Sequence, residues 1–137
     1  MSVPLYQRGE TQMAWWKSIT KLNAYTITAV TNEKVIPKRY RWLFAQKIID
    51  TANEILTNAI KANSVYVSEP SDYELRRTYQ KKAYAETCAM LTLIDVAYQT
   101  FKTINEHKHT TWINLILVAQ SDLRTWIEND RKRYKGQ

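Results

Sequence analysis

The chain contains 137 residues, of which 45% are hydrophobic, and its formal net charge at neutral pH is +7. This length and apolar content predict a single domain with a buried core rather than a disordered chain. Its two glycines, Gly9 and Gly136, both lie close to a terminus. Sheets need glycine for tight turns and bulges, and phosphate-binding loops and nucleophile elbows need it for close backbone approach. The sequence therefore predicts an all-α protein and excludes those glycine-dependent sites.

Cysteine content and hydropathy exclude further classes. Cys88 is the single cysteine, so an intramolecular disulfide and a thiolate metal cluster are excluded. It lies in a helical run beside Ala89 and Met90, where we expect a small buried core residue. No apolar run approaches the roughly 18 residues that a membrane span requires. Residues 1–10 contain no apolar signal core, so we expect a cytoplasmic protein without a membrane partner.

Four helical segments follow one another along the chain. We expect residues 1–9 to form a flexible N-terminal tail and residues 10–134 to form a single domain. The predicted helices cover about residues 10–32, 37–63, 72–105 and 110–133. Because the connections between them are short, the helices are expected to form an up-down-up-down antiparallel four-helix bundle.

The second predicted helix organises the rest of the chain. It begins at Pro37, which suits the first helical position because no amide donor is needed there. Apolar side chains then recur at three- and four-residue intervals, which is typical of a helix with one wide buried stripe. The stripe consists of Leu43, Ile48, Ile49, Ala52, Ile55, Leu56, Ala59 and Ile60. Basic and aromatic side chains alternate at its start, at Lys38, Arg39, Tyr40, Arg41 and Trp42.

The third and fourth predicted helices have regular core faces. Ser71 and Glu74, directly after Pro70, fit a capping box in which each side chain bonds to the other residue's amide. A four-three spacing predicts the core line Ala83, Thr87, Met90, Ile94, Ala97, Phe101 and Ile104. The segment HKHT is the expected third turn, with Thr110 or Thr111 capping the last helix. The stripe of that helix is Trp112, Ile116, Ala119, Leu123 and Trp126.

Aromatic side chains suggest an assembly. Two helices carry apolar stripes that are wider than one bundle core needs, and tryptophans occur at positions 15, 16, 42, 112 and 126. Exposed aromatic patches mark partner surfaces in many proteins. We therefore expect a homo-oligomer. The alternative is that these aromatic residues simply fill a long core.

The sequence does not support enzymatic, metal or cofactor chemistry. His107 and His109 are the only histidines, and they lie two residues apart without clear further ligands. Glu106 and His109 form a Glu-x-x-His pair, but di-iron bundles carry two such pairs on inward helix faces. Asp95 is a mid-helix acid that could be partly buried, and a lone carboxylate is more often a satisfied polar group than a catalyst. We expect no metal, no cofactor and no enzymatic activity.

Basic residues carry the strongest functional signal. Arginine and lysine neutralise phosphates, and interleaved aromatic rings can stack on unpaired bases. The predicted phosphate contacts are Lys38, Arg39, Arg41, Arg76, Arg77, Lys81, Arg131, Lys132 and Arg133. The alternative for each cluster is a solvated helix end with no ligand. Oligomerisation would repeat each cluster around a symmetry axis and raise the local field, which favours nucleic-acid binding.

Three stretches of the chain resemble a known family. They are IPKRYRWLFAQKIIDTANEILTNAIKAN, AETCAMLTLIDVAYQTFKTINEH and LILVAQSDLRTWIEN. Together with the Ile36-Pro37-Lys38 start of the second helix and the Trp126-Ile127 pair, they resemble small bacterial four-helix-bundle proteins. That family includes proteins encoded in ribosomal-RNA intervening sequences and the accessory variability determinant of diversity-generating retroelements. The resemblance covers roughly residues 15–132.

The resemblance implies a homopentameric barrel of bundles. In the retroelement members, the basic barrel binds a partner reverse transcriptase and template RNA and supports mutagenic copying. The sequence departs from the family in the middle of the third helix, where LTLIDVAY has no basic residue. It also has Arg124-Thr125 where the family usually has a glycine before the tryptophan. These departures concern contacts at the middle of the barrel and leave the basic ends unchanged.

The combined hypothesis is a non-enzymatic accessory protein that binds RNA or DNA. By resemblance, its partner is a reverse transcriptase and its role is to support mutagenic reverse transcription in a diversity-generating retroelement. The alternative is a structural or adaptor bundle that recruits a protein partner through its apolar faces, with the charge serving solubility.

Overall fold

A computed structural model describes the backbone of residues 10–32 and 34–135, and the side chains of residues 14–32, 34–39 and 43–135. Helix α1 spans Glu10–Thr31. Helix α2 consists of three consecutive pieces, which are Lys38–Tyr40, a π-helical turn at Arg41–Ala45 and an α-helix at Gln46–Ser64. Helix α3 spans Pro70–Thr100 and helix α4 spans Glu106–Arg133. The described residues contain no β-strand.

The four helices close into one packed unit. Helix α1 packs against both α2 and α4, and α3 also packs against both of them. One contiguous apolar core runs between the helices, with contributions from all four. This arrangement confirms the predicted all-α fold of four mutually packed helices. The expected tail at residues 1–9 lies outside the described residues.

The core line of α3 follows the predicted spacing. All seven predicted members of this line, from Ala83 to Ile104, are buried. The same line continues towards the start of the helix through Gln80, Arg76 and Tyr73, which are also buried. One face of α3 is therefore apolar for most of its length and polar near its beginning.

Tryptophans fill the interior between α1 and α4. The rings of Trp15 and Trp126 stack with centroids 4.3 Å apart and planes 10° from parallel. Trp112 is fully buried, and its indole Nε1 donates a hydrogen bond to Oγ1 of Thr26 over 3.0 Å. Trp16 is partly buried against the core. These four tryptophans therefore fill a long core instead of marking an exposed patch, and the Trp42 side chain lies outside the described residues.

Helix α3 begins earlier than predicted. Its N-cap is Glu69, and Pro70 occupies the first turn. The carboxylate of Asp72 accepts hydrogen bonds from the amides of Ser68 and Glu69 over 3.1 and 3.0 Å. These bonds lower the pKa of Asp72, and the backbone bond from Ser68 contributes most. The predicted Ser71–Glu74 capping box is wrong, because Asp72 supplies the carboxylate two residues earlier.

The predicted position of the connection between α3 and α4 is also wrong. Helix α3 ends at Thr100, and HKHT belongs to the first turn of α4. Asn105 caps that turn, since its side chain accepts a hydrogen bond from the amide of Lys108 over 2.8 Å, and the predicted caps Thr110 and Thr111 are wrong. Phe101 and Ile104 continue the apolar spacing because they cover the core from the connection itself.

Cys88 corrects another expectation. Its side chain is exposed on α3 rather than buried in the core. It follows the buried core residue Thr87, so the helical turn places it at the edge of the interface with α4. There its Sγ lies 3.3 Å from Nε2 of Gln120, which donates a hydrogen bond to it.

Candidate nucleic-acid interface

Contacts between helices define two ends of the bundle. The first, called the Arg131 end, comprises the last turn of α2, the connection at residues 65–69, the first three turns of α3 and the last turn of α4. The rings of Tyr73 and Tyr134 lie 5.2 Å apart there, and Lys61 Nζ lies 5.9 Å from the centre of the Tyr79 ring. The second, called the Lys38 end, comprises residues 32 and 34–37, the connection at residues 101–105 and the start of α2. There the hydroxyl of Thr103 donates a hydrogen bond to the carbonyl of Val35.

Arg76 lies inside the bundle at the Arg131 end. Its Nε donates to Oδ2 of Asp130 over 2.5 Å, and its Nη2 donates to Oδ1 over 3.2 Å. The side chains of Arg76 and Asp130 are only 11% and 4% exposed. This two-pronged geometry is the strongest form of an arginine–carboxylate pair. The guanidinium is thus committed to α4, and we leave Arg76 out of the candidate contact surface.

Two neighbours complete this polar layer. Gln80 Nε2 donates to Oδ2 of Asp130 over 2.8 Å, and the Arg76 guanidinium lies 5.2 Å from the centre of the Trp126 ring. Gln80 is fully buried, and its Oε1 has no hydrogen-bond partner among the described residues. The layer joins the first turns of α3 to the last turn of α4, and therefore holds the basic residues of both helices at one end.

Exposed cations surround this layer. Lys81, Lys132 and Arg133 are exposed, and Arg77 is half-exposed at 4.0 Å from Oε1 of Glu74. The guanidinium of Arg133 lies 5.5 Å from the centre of the Tyr134 ring. Four of the predicted contacts therefore lie together on the surface of the Arg131 end.

Arg131 has a carboxylate partner on its own helix. Its Nε and Nη2 donate to the two carboxylate oxygens of Glu128 over 3.0 and 2.7 Å. The hydrogen bond from Arg131 holds the pKa of Glu128 below its usual value, and the same bond raises the pKa of Arg131. Because this pair is solvent-exposed, a phosphate can compete with Glu128 for the guanidinium.

The predicted phosphate contacts omit two cations of this end. The ammonium groups of Lys61 and Lys82 lie 5.9 and 5.7 Å from the centre of the Tyr79 ring. Lys61 comes from α2 and Lys82 from α3, so the cluster exists only because the two helices pack together. A signal was present for Lys82, which follows Lys81 directly, but Lys61 stands alone in its helix.

The Lys38 end carries a second basic group. Lys38 and Arg39 are exposed, next to the π-helical turn at Arg41–Ala45. The side chain of Arg41 lies outside the described residues. Along α2, the distance from Lys38 to Lys61 is roughly 35 Å at 1.5 Å per residue. The structure therefore divides the predicted contacts into two separate groups.

The histidine region forms a small surface pair. His109 Nε2 lies 2.8 Å from Oδ1 of Asp95, and the imidazole stacks on the Tyr98 ring with centroids 4.0 Å apart. Asp95 is exposed rather than partly buried. Within the described part of the chain, no group of three or more His, Cys, Asp or Glu side chains is placed to share a metal ion.

A scan of protein-family models, a search of curated proteins and a search of solved structures found no match to this chain. Within residues 10–32 and 34–135, none of the helices combines the length and apolarity needed to cross a membrane.

Proposed function

We propose that the protein is a non-enzymatic nucleic-acid-binding protein that holds phosphates at the Arg131 end. The observation that carries this proposal is the grouping of exposed cations from three helices around one buried ion pair. The proposed contacts are Lys61, Arg77, Lys81, Lys82, Arg131, Lys132 and Arg133. Lys38, Arg39 and Arg41 remain proposed contacts at the Lys38 end.

Local electrostatics support a net attraction for phosphate at the Arg131 end. Asp130 is bound to Arg76, so its negative charge is neutralised in the interior. Asp72 is engaged by the amides at the start of α3, where the helix dipole favours a negative charge. The seven proposed cations still outnumber the surface carboxylates of this end, which are Glu69, Asp72, Glu74 and Glu128. The surface charge is therefore net positive, and binding of phosphates would release condensed counterions.

The family resemblance extends this proposal to an accessory role. In that role the helices form an antiparallel up-down-up-down bundle, five copies form a barrel, and the barrel binds RNA together with a reverse transcriptase in the cytoplasm. The contacts Arg76–Asp130 and Asp95–His109 support the antiparallel part, since residue numbers rise along α3 as they fall along α4. Within this proposal, the protein supports mutagenic reverse transcription in a diversity-generating retroelement.

An uncharged face on α1 and α2 supports assembly. Ile27 and Ile60 are 46% and 41% exposed, and Ile49 and Leu56 are partly buried. They lie at intervals of three, four or eight residues from Asn23 on α1 or from Ala52 on α2. These two residues are in contact, since Asn23 Nδ2 donates a hydrogen bond to the carbonyl of Ala52 over 2.8 Å. We propose that a second copy of the chain covers this face. The same face supports the adaptor function, in which a different protein covers it.

A salt series tests nucleic-acid binding directly. Affinity for a structured RNA and for a matched DNA duplex is measured between about 50 and 200 mM salt, a range over which phosphate contacts weaken strongly. The test variant replaces Arg77, Lys81 and Lys132 with glutamine. The control replaces Lys17, Lys21 and Lys47, which are exposed on α1 and α2, and changes the net charge equally.

The expected result is a linear fall of log affinity with log salt, whose slope is smaller by about 2–3 in the test variant. The control variant should keep the wild-type slope, because none of its lysines belongs to the proposed phosphate contacts. Absence of binding at about 50 mM salt, or equal losses in the two variants, would contradict the proposal. Light scattering of the wild type and of an Ile60→Lys variant tests assembly. The proposal expects an oligomer that this variant weakens, and a monomeric wild type would contradict it.

A further inference from the structure

Tyr66 is the most exposed large hydrophobic side chain among the described residues. It is 85% exposed and lies in the connection at residues 65–69, within the Arg131 end. Its side chain makes no hydrogen bond or ring contact with any other described residue. The other tyrosines of this end, Tyr73, Tyr79 and Tyr134, each contact a ring or a cation. Tyr66 is therefore the ring that is available to a ligand.

The backbone around Tyr66 is anchored on both sides. On one side, the amide of Val65 donates to the carbonyl of Ala62 over 3.2 Å at the end of α2. On the other side, Asp72 accepts hydrogen bonds from the backbone amide and the hydroxyl of Ser68 over 3.1 and 3.0 Å. With only a few residues between these anchors, the ring is held near the surface of the Arg131 end. Presenting it there lowers the entropy lost when a ligand stacks on it.

Cations lie at the same end of the bundle as this ring, and one of them is close to it along the chain. Lys61 precedes it by five residues in the last turn of α2, and Lys82 shares the Tyr79 ring with Lys61. Phosphates attract cations in single strands and in duplexes alike, so cations alone do not distinguish these ligands. An exposed ring adds selectivity, because only an unpaired base offers a free face for stacking.

We propose that Tyr66 stacks on an unpaired base, and that the ligand of the Arg131 end is a single-stranded or looped nucleic acid rather than a closed duplex. This inference rests on the proposed function and names its ligand class. The exposed cations hold the backbone, and the phenol ring holds a base that has left its stack. Binding of this kind tolerates different sequences, because every base has a flat face.

The test compares three variants on two ligands. Tyr66→Leu removes the ring, Tyr66→Phe keeps it, and Leu75→Ala is the control, because Leu75 is an exposed apolar side chain at the same end without a ring. The ligands are a single-stranded oligonucleotide and a fully paired duplex of the same length and phosphate number. Affinities are measured at about 100 mM salt, and a 2-aminopurine base in the single strand reports stacking through its fluorescence.

The expected result is a loss of about 5- to 100-fold in single-strand affinity for Tyr66→Leu, since stacking on one ring contributes this much. Tyr66→Phe and Leu75→Ala should bind like the wild type, and duplex affinity and the salt slope should not change. Equal affinity of Tyr66→Leu and wild type for the single strand, or a wild-type preference for the duplex, would overturn the inference and leave the proposed function standing. Failure of the wild type to bind either ligand would overturn both the inference about Tyr66 and the proposed function. The search for a partner of Tyr66 would then turn to proteins.

Discussion

Helix α4 contacts α1 through aromatic rings and α3 through polar side chains. On the α1 side, Trp126 stacks on Trp15 and Trp112 is fully buried. On the α3 side, Asp130 binds Arg76 near one end, and Gln120 donates to Oγ1 of Thr87 over 3.2 Å in the middle. At the other end of this interface, His109 pairs with Asp95.

The two sides of α4 serve different physical purposes. Burial of large rings stabilises the fold in proportion to the area removed from water, with little dependence on direction. Hydrogen-bonded pairs depend on direction, and unpaired partners are costly in the interior, so they fix how α3 and α4 are aligned. The α1 side therefore contributes mostly stability, and the α3 side contributes mostly alignment of the basic residues.

The largest effect is expected on the aromatic side. Replacing Trp112 with alanine should lower the free energy of unfolding by about 3–5 kcal/mol, because it leaves a cavity and an unpaired Thr26 hydroxyl. Urea denaturation followed by circular dichroism measures this change. Trp112→Phe, which keeps a ring, should cost clearly less. A loss below about 1 kcal/mol for the alanine variant would contradict the role of this side as the main source of stability.

An intermediate effect is expected at the ion pair. Asp130→Asn leaves the buried Arg76 charge without its counterion, and should lower the free energy of unfolding by about 2–3 kcal/mol. The double variant Arg76→Met with Asp130→Leu removes both charges and should recover part of this loss. The recovery is incomplete because the buried Gln80 Nε2 loses its acceptor on Asp130.

The same double variant separates structure from binding at this site. Its nucleic-acid affinity and salt slope should match the wild type, because Arg76 faces Asp130 rather than solvent. Loss of one phosphate contact, seen as a slope smaller by about 0.7–0.9, would return Arg76 to the contact surface.

The smallest effect is expected at the start of α3. The pKa of Asp72 is lower in the folded protein, so its stabilising contribution is complete above the unfolded-state pKa, near 4. This contribution is lost as the pH falls through the folded-state pKa. Asp72→Ala should therefore reduce Tm slightly at pH 7 and less at a low pH, below the folded-state pKa.

Thermal scans at both pH values measure the Asp72 effect. Asp50→Ala is a suitable control, since the Asp50 carboxylate accepts a hydrogen bond from Gln46 one turn earlier in the same helix. An Asp72→Ala loss that stays the same at low pH would show that the charge of the carboxylate is not the cause.

The buried faces of the helices were the most predictable part of the fold, because they depend on the periodic spacing of apolar residues. The line from Ala83 to Ile104 repeats often enough to identify the buried face of α3. The predicted stripe of α2 is only partly correct, because Ile48, Ala52, Ile55 and Ala59 are buried whereas Leu43 and Ile60 are exposed. The helix ends were less predictable, because single side chains decide them. Asp72 and Asn105 supply the capping hydrogen bonds, but neighbouring serine, threonine and glutamate residues have the same capping preferences, so the sequence does not identify the residue that caps.

The polar layer was missed because each helix was considered by itself. Arg76 lies on the same four-three line as Ala83, and Asp130 continues the line of Leu123 and Trp126. Two opposite charges on the buried faces of adjacent helices predict a pair, so the signal was in the sequence. The Lys61–Tyr79 contact had no such signal, since it depends on how α2 and α3 are aligned.

The π-helical turn at Arg41–Ala45 changes how the start of α2 is rotated relative to the rest of the helix. Such a turn accommodates one residue more than an α-helical turn, and each residue advances about 100° around the axis. The exposed Lys38 and Arg39 are therefore rotated by about that angle relative to where an uninterrupted α-helix, extended back from Ile48, would place them. The turn therefore gives the basic start of α2 a different rotation about the helix axis from the buried face that follows it.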